Sequence, residues 1–324
     1  MIRRAALVLL AIAACGMPGP RGERPPRGER PPRNEPPSQG TEPSYPRVQT
    51  GPAIAGTVTF GAIADCQYAD QPDAGERRYR AATAKLQEAV TALNKEPLNF
   101  TVHLGDFTDK GWASYGTVAP LFGGLQAPGH HLLGNHDFEV PNAVKVEVPE
   151  RLGIPERYRA FSQNGWRFIL LDGNDVSLHA WPDGSGAQIT AREFRDRHAP
   201  GAPDWNGGLG FIQLLWLDTM LAEADAAGES AVVMCHFPVL PAGQHVLWNA
   251  SEVLGVLRSH PSVKMYLSGH NHDGDYVEQY GIHFLTLRAM LDTGENAWAM
   301  IRATREEIRV DGNGRETDRV LSLR

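Results

Sequence analysis

Five short stretches of the sequence place carboxylates, amides and imidazoles at the ends of apolar runs. They are Asp65 and Gln67 in "IADCQ", Asp106 and Asp109 in "GDFTD", Asn135, His136 and Asp137 in "GNHD", His236 in "MCHFP", and His270 and His272 in "GHNH". Asp, Asn, Gln and His offer oxygen and nitrogen donors. A mixed set of this kind suits first-row divalent ions better than an all-oxygen calcium cage would. No cysteine belongs to the set, which argues against a structural zinc knot. Taken singly each residue is ordinary: an Asp at a strand end caps a turn, and a lone His packs in a core. Five such stretches in order point instead to one shared metal centre.

Residues so far apart in the chain meet only if regular elements carry them to one place. Apolar runs at 54–64, 99–106, 130–137, 166–173, 230–238 and 263–274 read as strands. Helical spacing appears at 76–94, where Tyr79, Ala82, Leu86, Val90 and Leu93 share a face, and again at 209–226 and 248–260. Segments 276–287 and 295–310 read as meandering strands with little helix. Strand and helix thus alternate through most of the chain before strands follow strands. The expectation is an α/β core completed by antiparallel strands in a layered sandwich. In open α/β sheets ligands gather beyond the carboxyl ends of the strands, where the five stretches lie.

The first 52 residues differ from the rest. A basic start is followed by an apolar run over 5–14 that is too short to span a bilayer, which together read as a signal peptide over 1–14. The string Ile12-Ala13-Ala14-Cys15 resembles the bacterial lipobox, in which the cysteine is lipidated. The expectation is an exported protein, anchored to a bacterial membrane by a lipid on Cys15 or else periplasmic or extracellular. Residues 15–52 read as a Pro/Arg-rich tether: 11 of the 24 prolines fall within 17–52, and "RGERPP" occurs at 21 and again at 27. The remaining segment, 53–324, reads as a single catalytic domain. Of the 31 basic and 38 acidic residues, 8 and 4 lie in 1–52, so the domain is acidic and poorly suited to gripping nucleic acid. A small anionic substrate needs a local cation to offset that field. Cys66 and Cys235 read as small buried packing residues.

The order D-x-Q, GD-x-x-D, GNHD, H and GH-x-H, spread over residues 55–310, resembles the calcineurin-like metallophosphoesterase superfamily. Within it, "FGAIADCQYAD", "RRYR", "WNGGLGFIQLLWLD" and "GHNHDGDY" look like the manganese-dependent ADP-ribose/CDP-alcohol diphosphatases. The resemblance implies a layered α/β-β-α sandwich with mixed sheets and a pair of divalent ions, manganese foremost, with iron, zinc or magnesium open. Asp65, Gln67, Asp106 and His272 would surround one ion. Asp106 would bridge to the other, completed by Asn135, His236 and His270. His136 would be the catalytic acid that protonates the leaving oxygen, or would bind the phosphoryl group, with Asp137 orienting it. Asp109 would hold a ligand histidine; capping of their own turns is the equal alternative for Asp137 and Asp109.

Gln67 supplies a neutral oxygen where most of the superfamily has imidazole, which tilts that site toward Mn²⁺ and away from Zn²⁺. The implied substrate is a small phosphorylated compound, a nucleoside diphosphate derivative cut at its diphosphate bond. Tyr68, Trp205, Asn206 and Phe211 are the candidates to contact it. The stretch "DQPDAGER" is shorter than its counterpart in eukaryotic members, a departure that bears on nucleobase preference. Two alternatives are a broader phosphodiesterase or phosphomonoesterase on the same scaffold, and a non-catalytic surface lipoprotein. A purple acid phosphatase fits poorly, because Asp109 stands where that group has tyrosine.

Overall fold

The computed structural model describes residues 56–323. The expected signal segment, Cys15 and the tether lie outside the described residues. Two six-stranded mixed sheets face each other. The first runs β14 (Arg319–Ser322), β13 (Glu307–Gly314), β12 (Ala297–Ala303), β1 (Val58–Ile63), β2 (Phe100–His103), β3 (Gly129–His131). The second runs β10 (Asp275–Gln279), β11 (Ile282–Thr286), β9 (Val263–Ser268), β8 (Ser230–Met234), β5 (Trp166–Leu170), β4 (Arg159–Gln163). A two-stranded ribbon, β6 (Val176–Ser177) with β7 (Gly207–Gly208), stands apart.

Side chains alternate across each strand, and both sheets use the alternation to fill two interfaces at once. Val58, Phe60 and Ala62 of β1 meet Val232 and Met234 of β8 in the core between the sheets. Phe60, Phe100 and Phe168 make the centre of that core, with ring centroids 4.8–5.6 Å apart. The other face of the first sheet packs on α1 (Ala82–Leu93) and α2 (Ser114–Phe122) through Ile63, Leu86, Val90 and Val118. Val233 and Ile169 on the far face of the second sheet pack on α5 (Phe211–Ala227) and α6 (Ala250–Arg258) through Leu217, Leu221, Val253 and Leu257. The layers are therefore helix, sheet, sheet, helix, as the sequence led us to expect.

β1, β2 and β3 run parallel, and so do β5, β8 and β9. Each of these strands ends before the polar residues that follow it, so the expected strands at 130–137 and 263–274 are shorter than read. β3 stops at His131 and β9 at Ser268, and residues 136–138 form a single 3-10 turn. The helix expected from residue 76 begins at Ala82. Residues 74–81 are held instead by backbone pairing of Arg77 with Ala74 and Asp292, and by Arg78 N donating to Leu291 O at 3.1 Å. α3 (Val148–Arg151), α4 (Gly186–His198), α2, β4 and the ribbon were not anticipated. α4 buries only Ala191 fully, so it has no apolar stripe to read, and α2 carries Pro120 inside it.

Candidate metal centre

Every expected ligand sits a few residues past the end of a parallel strand: Asp65 and Gln67 after β1, Asp106 after β2, Asn135 after β3, His236 after β8, and His270 and His272 after β9. The backbone there is unusual. Asp65, Gln67, Asp106 and His270 adopt positive φ of 52°, 43°, 56° and 71°. This left-handed region costs a residue with a Cβ about 1–3 kcal/mol and persists only where the surroundings hold it. Four such residues in one cluster mark a place where side-chain aim outweighs backbone ease. One neighbouring glycine is required by space alone: a Cβ on Gly134 would stand 2.1 Å from Asp106 Oδ1.

The seven side chains form one connected, largely buried network. Gln67 Nε2 lies 2.8 Å from Asp106 Oδ2 and 3.2 Å from His272 Nε2. His272 Nε2 is 3.9 Å from Asp65 Oδ1, and both Asp65 oxygens accept the His270 backbone N–H. His236 Nε2 is 3.4 Å from Asp106 Oδ2, 3.3 Å from Asn135 Oδ1 and 3.1 Å from His270 Nδ1. Asp106, His236 and His270 offer ligand atoms that all lie within 4.8 Å of one another.

Three observations test whether these residues fit cations. His236 Nδ1 faces the Leu104 carbonyl at 2.9 Å, His270 Nε2 faces Asn206 Oδ1 at 3.0 Å, and His272 Nδ1 faces Asp292 Oδ2 at 3.0 Å. An oxygen acceptor on one ring nitrogen fixes the proton there and leaves the other nitrogen a lone pair, so all three imidazoles aim lone pairs into the cluster. Gln67 Oε1 is buried without a hydrogen-bond partner. Turning that amide over puts the oxygen beside Asp106 Oδ2 and His272 Nε2, three electron-rich atoms that only a cation reconciles. The donor set thus fits divalent ions.

The protein's own charges point the same way. Burial pushes the Asp65 carboxyl up to about 6 against the pull of His236 and His272. Burial also opposes ionisation of Asp106, yet His236 and His136 hold it well below the usual carboxylate range. Burial lowers His236, but Asp106 outweighs it and raises the imidazole to about 9. Burial and the adjacent His236 drive His270 well below its ordinary value. His236 is thus the positive charge that meets Asp106; a bound cation would take over that task and leave the imidazole its lone pair.

Two expected roles are corrected. Asp137 does not orient His136. Its fully buried carboxylate accepts four backbone N–H groups: Asp106 at 3.0, Phe107 at 2.9, Thr108 at 3.2 and Gly134 at 2.9 Å. It therefore shapes the two ligand loops and leaves no lone pair for an imidazole. Asp109 does not hold an expected ligand histidine. Its Oδ1 lies 3.3 Å from His136 Nδ1 and its carbonyl 3.1 Å from the same atom, so Asp109 is the partner of His136. The carboxylate that holds an expected ligand histidine, His272, is Asp292, which sequence reading missed. Lys85 was missed too. Its buried ammonium donates to the carbonyls of Met290, Asp292 and Thr293 at 2.8, 3.0 and 2.8 Å and so grips the loop that carries Asp292.

Of the substrate candidates, Trp205 stands beside the cluster, its ring centroid 5.1 Å from His270 and 5.2 Å from His245. Asn206 is spoken for: it is buried, donates to Gln244 O at 2.7 Å and accepts from His270, so it positions a histidine and has no free edge for substrate. Tyr68 packs half-buried against the helix-side core. Phe211 opens α5 at 75% exposure and shares none of Trp205's ring contacts with the cluster, so it is not brought to the site. Cys66 and Cys235 are buried and free, and burial pushes both thiols up to about 12, so they are inert packing residues.

A family model described as calcineurin-like phosphoesterase matches residues 58–274. The chain is 33% identical over 270 residues to a protein of Arabidopsis thaliana named manganese-dependent ADP-ribose/CDP-alcohol diphosphatase; the match covers 72% of this chain and 86% of that protein. A human protein of the same name is 28% identical over 317 residues, covering 82% of this chain and 93% of the other. A crystal structure of a dimetal phosphatase from Danio rerio matches with a TM-score of 0.76 at 28% identity, over 82% of this chain and 99% of that one.

The Asp292 contact generates a prediction. Asp292→Ala frees His272 to turn and take the wrong tautomer, so Mn²⁺ affinity should fall about 10–100-fold in a calorimetric titration. An unchanged affinity would remove Asp292 from the ligand support.

Proposed function

The chain belongs to the calcineurin-like phosphoesterases and is a metal-dependent hydrolase; on that premise we propose that it cleaves the diphosphate bond of nucleoside diphosphate-X compounds such as ADP-ribose and CDP-alcohols, using two divalent ions, manganese foremost. The observation that carries this reading is Gln67, with its orphaned Oε1 and its amide against Asp106 and His272. A neutral oxygen donor at that position favours Mn²⁺ over Zn²⁺. Relatives named for manganese dependence and for ADP-ribose and CDP-alcohol cleavage match most of the chain and support the substrate class.

In this proposal Asp65, Gln67, Asp106 and His272 would hold one ion, and Asp106, Asn135, His236 and His270 would hold the other. Bound ions acidify the attacking water and neutralise charge that develops on the phosphate oxygens. The chain's own residues set the stage. The His136 backbone N–H holds Asp106 Oδ1 at 2.8 Å, fixing the shared carboxylate. The His136 ring is a quarter exposed and keeps its Nδ1 proton toward Asp109, which leaves Nε2 to protonate the leaving oxygen as imidazolium. Asp109 steadies the charged ring, and Gln71 Nε2 in turn donates to Asp109 Oδ2 at 2.9 Å. Trp205 offers a half-exposed aromatic face on the His270 side, suited to a nucleobase.

We also propose that the enzyme is exported and lipid-anchored, on the strength of the apolar run and the Ile12-Ala13-Ala14-Cys15 string. Two measurements check these proposals. Chelator-treated protein reloaded with Mn²⁺ should release AMP and ribose 5-phosphate from ADP-ribose, and CMP and phosphocholine from CDP-choline. Mg²⁺ at equal occupancy should support roughly a tenth of that rate or less. Orthophosphate as the first product would overturn the diphosphatase assignment, and full activity with Mg²⁺ would overturn the manganese preference. Cells fed a palmitate analogue should label the wild-type protein and not Cys15→Ser; equal labelling rules the anchor out.

A further inference from the structure

α1 carries a lysine on the face it turns to the core. Lys85 lies among Ala82, Leu86 and Ala89 and is only 5% exposed. Among the described residues its ammonium is met by main chain alone. The carbonyls of Met290, Asp292 and Thr293 accept its three N–H groups at 2.8, 3.0 and 2.8 Å, and that of Leu291 stands at 3.5 Å. Successive carbonyls turned on one point make a site for a monovalent cation, their oxygens replacing its water. The backbone bends to build it. Thr293, a β-branched residue, holds a φ of 58°, in the left-handed region that such side chains avoid. Burial, and after it Arg315, lowers the ammonium to about 8 against the pull of Asp292, so at neutral pH it is charged and needs these oxygens.

The opposite edge of the same loop holds expected metal ligands. Met290 N donates to the Ala64 carbonyl at 2.9 Å, Leu291 N to that of Asp65 at 3.0 Å and Ala289 N to that of His272 at 3.1 Å. The Asp292 carboxylate faces His272 Nδ1 at 3.0 Å. Asp65 and His272 belong to the same expected donor set, so one loop supports two ligands of one ion. The Lys85 ammonium spends its hydrogen bonds on that loop and none on a donor itself.

We propose that residues 290–293 form a monovalent-cation cradle that the protein fills with its own Lys85. This internal cation sets the affinity of the Asp65, Gln67, Asp106 and His272 position for its divalent ion. Lys85 is a positioning residue that acts through the loop. The proposal rests on the two-ion reading of the metal centre and deepens it. The sign separates positioning from repulsion. A positive charge acting through space opposes Mn²⁺, so its removal would tighten binding, whereas loss of the tie to the loop weakens it.

The test uses chelator-treated wild type, Lys85→Met and Lys85→Ala, titrated with Mn²⁺ by calorimetry beside melting curves of the metal-free proteins. In Lys85→Met one of two Mn²⁺ affinities should fall about tenfold and the other stay within about twofold. Lys85→Ala should lose the same affinity. It should regain most of it in ammonium or potassium chloride, but not in tetramethylammonium chloride, whose cation is too large for the cradle. Ammonium should also raise the melting temperature of metal-free Lys85→Ala and leave that of the wild type unchanged. Unchanged or tightened Mn²⁺ binding in both variants overturns the proposal, as does equal weakening of both ions without ammonium rescue. Failure of ammonium to restore folding to an unfolded Lys85→Ala overturns it too. A wild type that takes up no Mn²⁺ sinks the two-ion reading and the control of affinity with it, while the ammonium melting shift still decides the cradle.

Discussion

A carboxylate taken wholly out of water must be met by hydrogen or by positive charge, and Asp106 is met from three directions. The His136 backbone N–H holds one oxygen, while Gln67 and His236 crowd the other. These partners come from the exits of β1, β3 and β8, so one side chain gathers loops from both sheets. Sandwich packing brings the loops near, and the need to satisfy Asp106 fixes how they finish. Around it the three imidazoles are each turned by an acceptor behind them, in Leu104, Asn206 and Asp292. The centre is therefore organised from outside inward.

The arrangement carries a cost in stability. Four of the expected ligand residues occupy left-handed backbone, and three carboxylates, Asp65, Asp106 and Asp137, are buried around the same loops. Asp137 shows how the fold absorbs this. Burial pushes its carboxyl up to about 7, yet it accepts four backbone amides and so replaces the hydrogen bonds the two ligand loops lose by leaving their strands. Lys85 does the converse at the 290–293 loop, collecting carbonyls. An acid that gathers donors and an amine that gathers acceptors together stiffen irregular backbone that sheets and helices cannot reach.

The sandwich was legible because β1 and β8 are short apolar runs bounded by polar punctuation, and because the donors stand just past such runs. The seven donors that the structure brings together were legible for the same reason: Asp65, Gln67, Asp106, Asn135, His236, His270 and His272 occur in compact strings. The supports were not. Asp292 lies in "LDTGEN", which has no metal-site spelling, and it reaches His272 only because the loop after β11 folds back beside β9. Asp109 took the duty expected of Asp137, and Asp137 took the turn-holding alternative, because both are acids within hydrogen-bond range of the same loops. Only the backbone path decides which carboxylate meets the ring and which meets the amides. α4 escaped notice because a helix that buries one alanine leaves no periodic trace.

The central claim is that Asp106 stands between two donor sets close enough to share it. Electron paramagnetic resonance of chelator-treated full-length protein titrated with Mn²⁺ tests it most directly. The expected result is uptake of a pair of ions per chain with a spin-coupled spectrum that is lost in Asp106→Asn. A single ion per chain, or a pair with independent spectra, would contradict it.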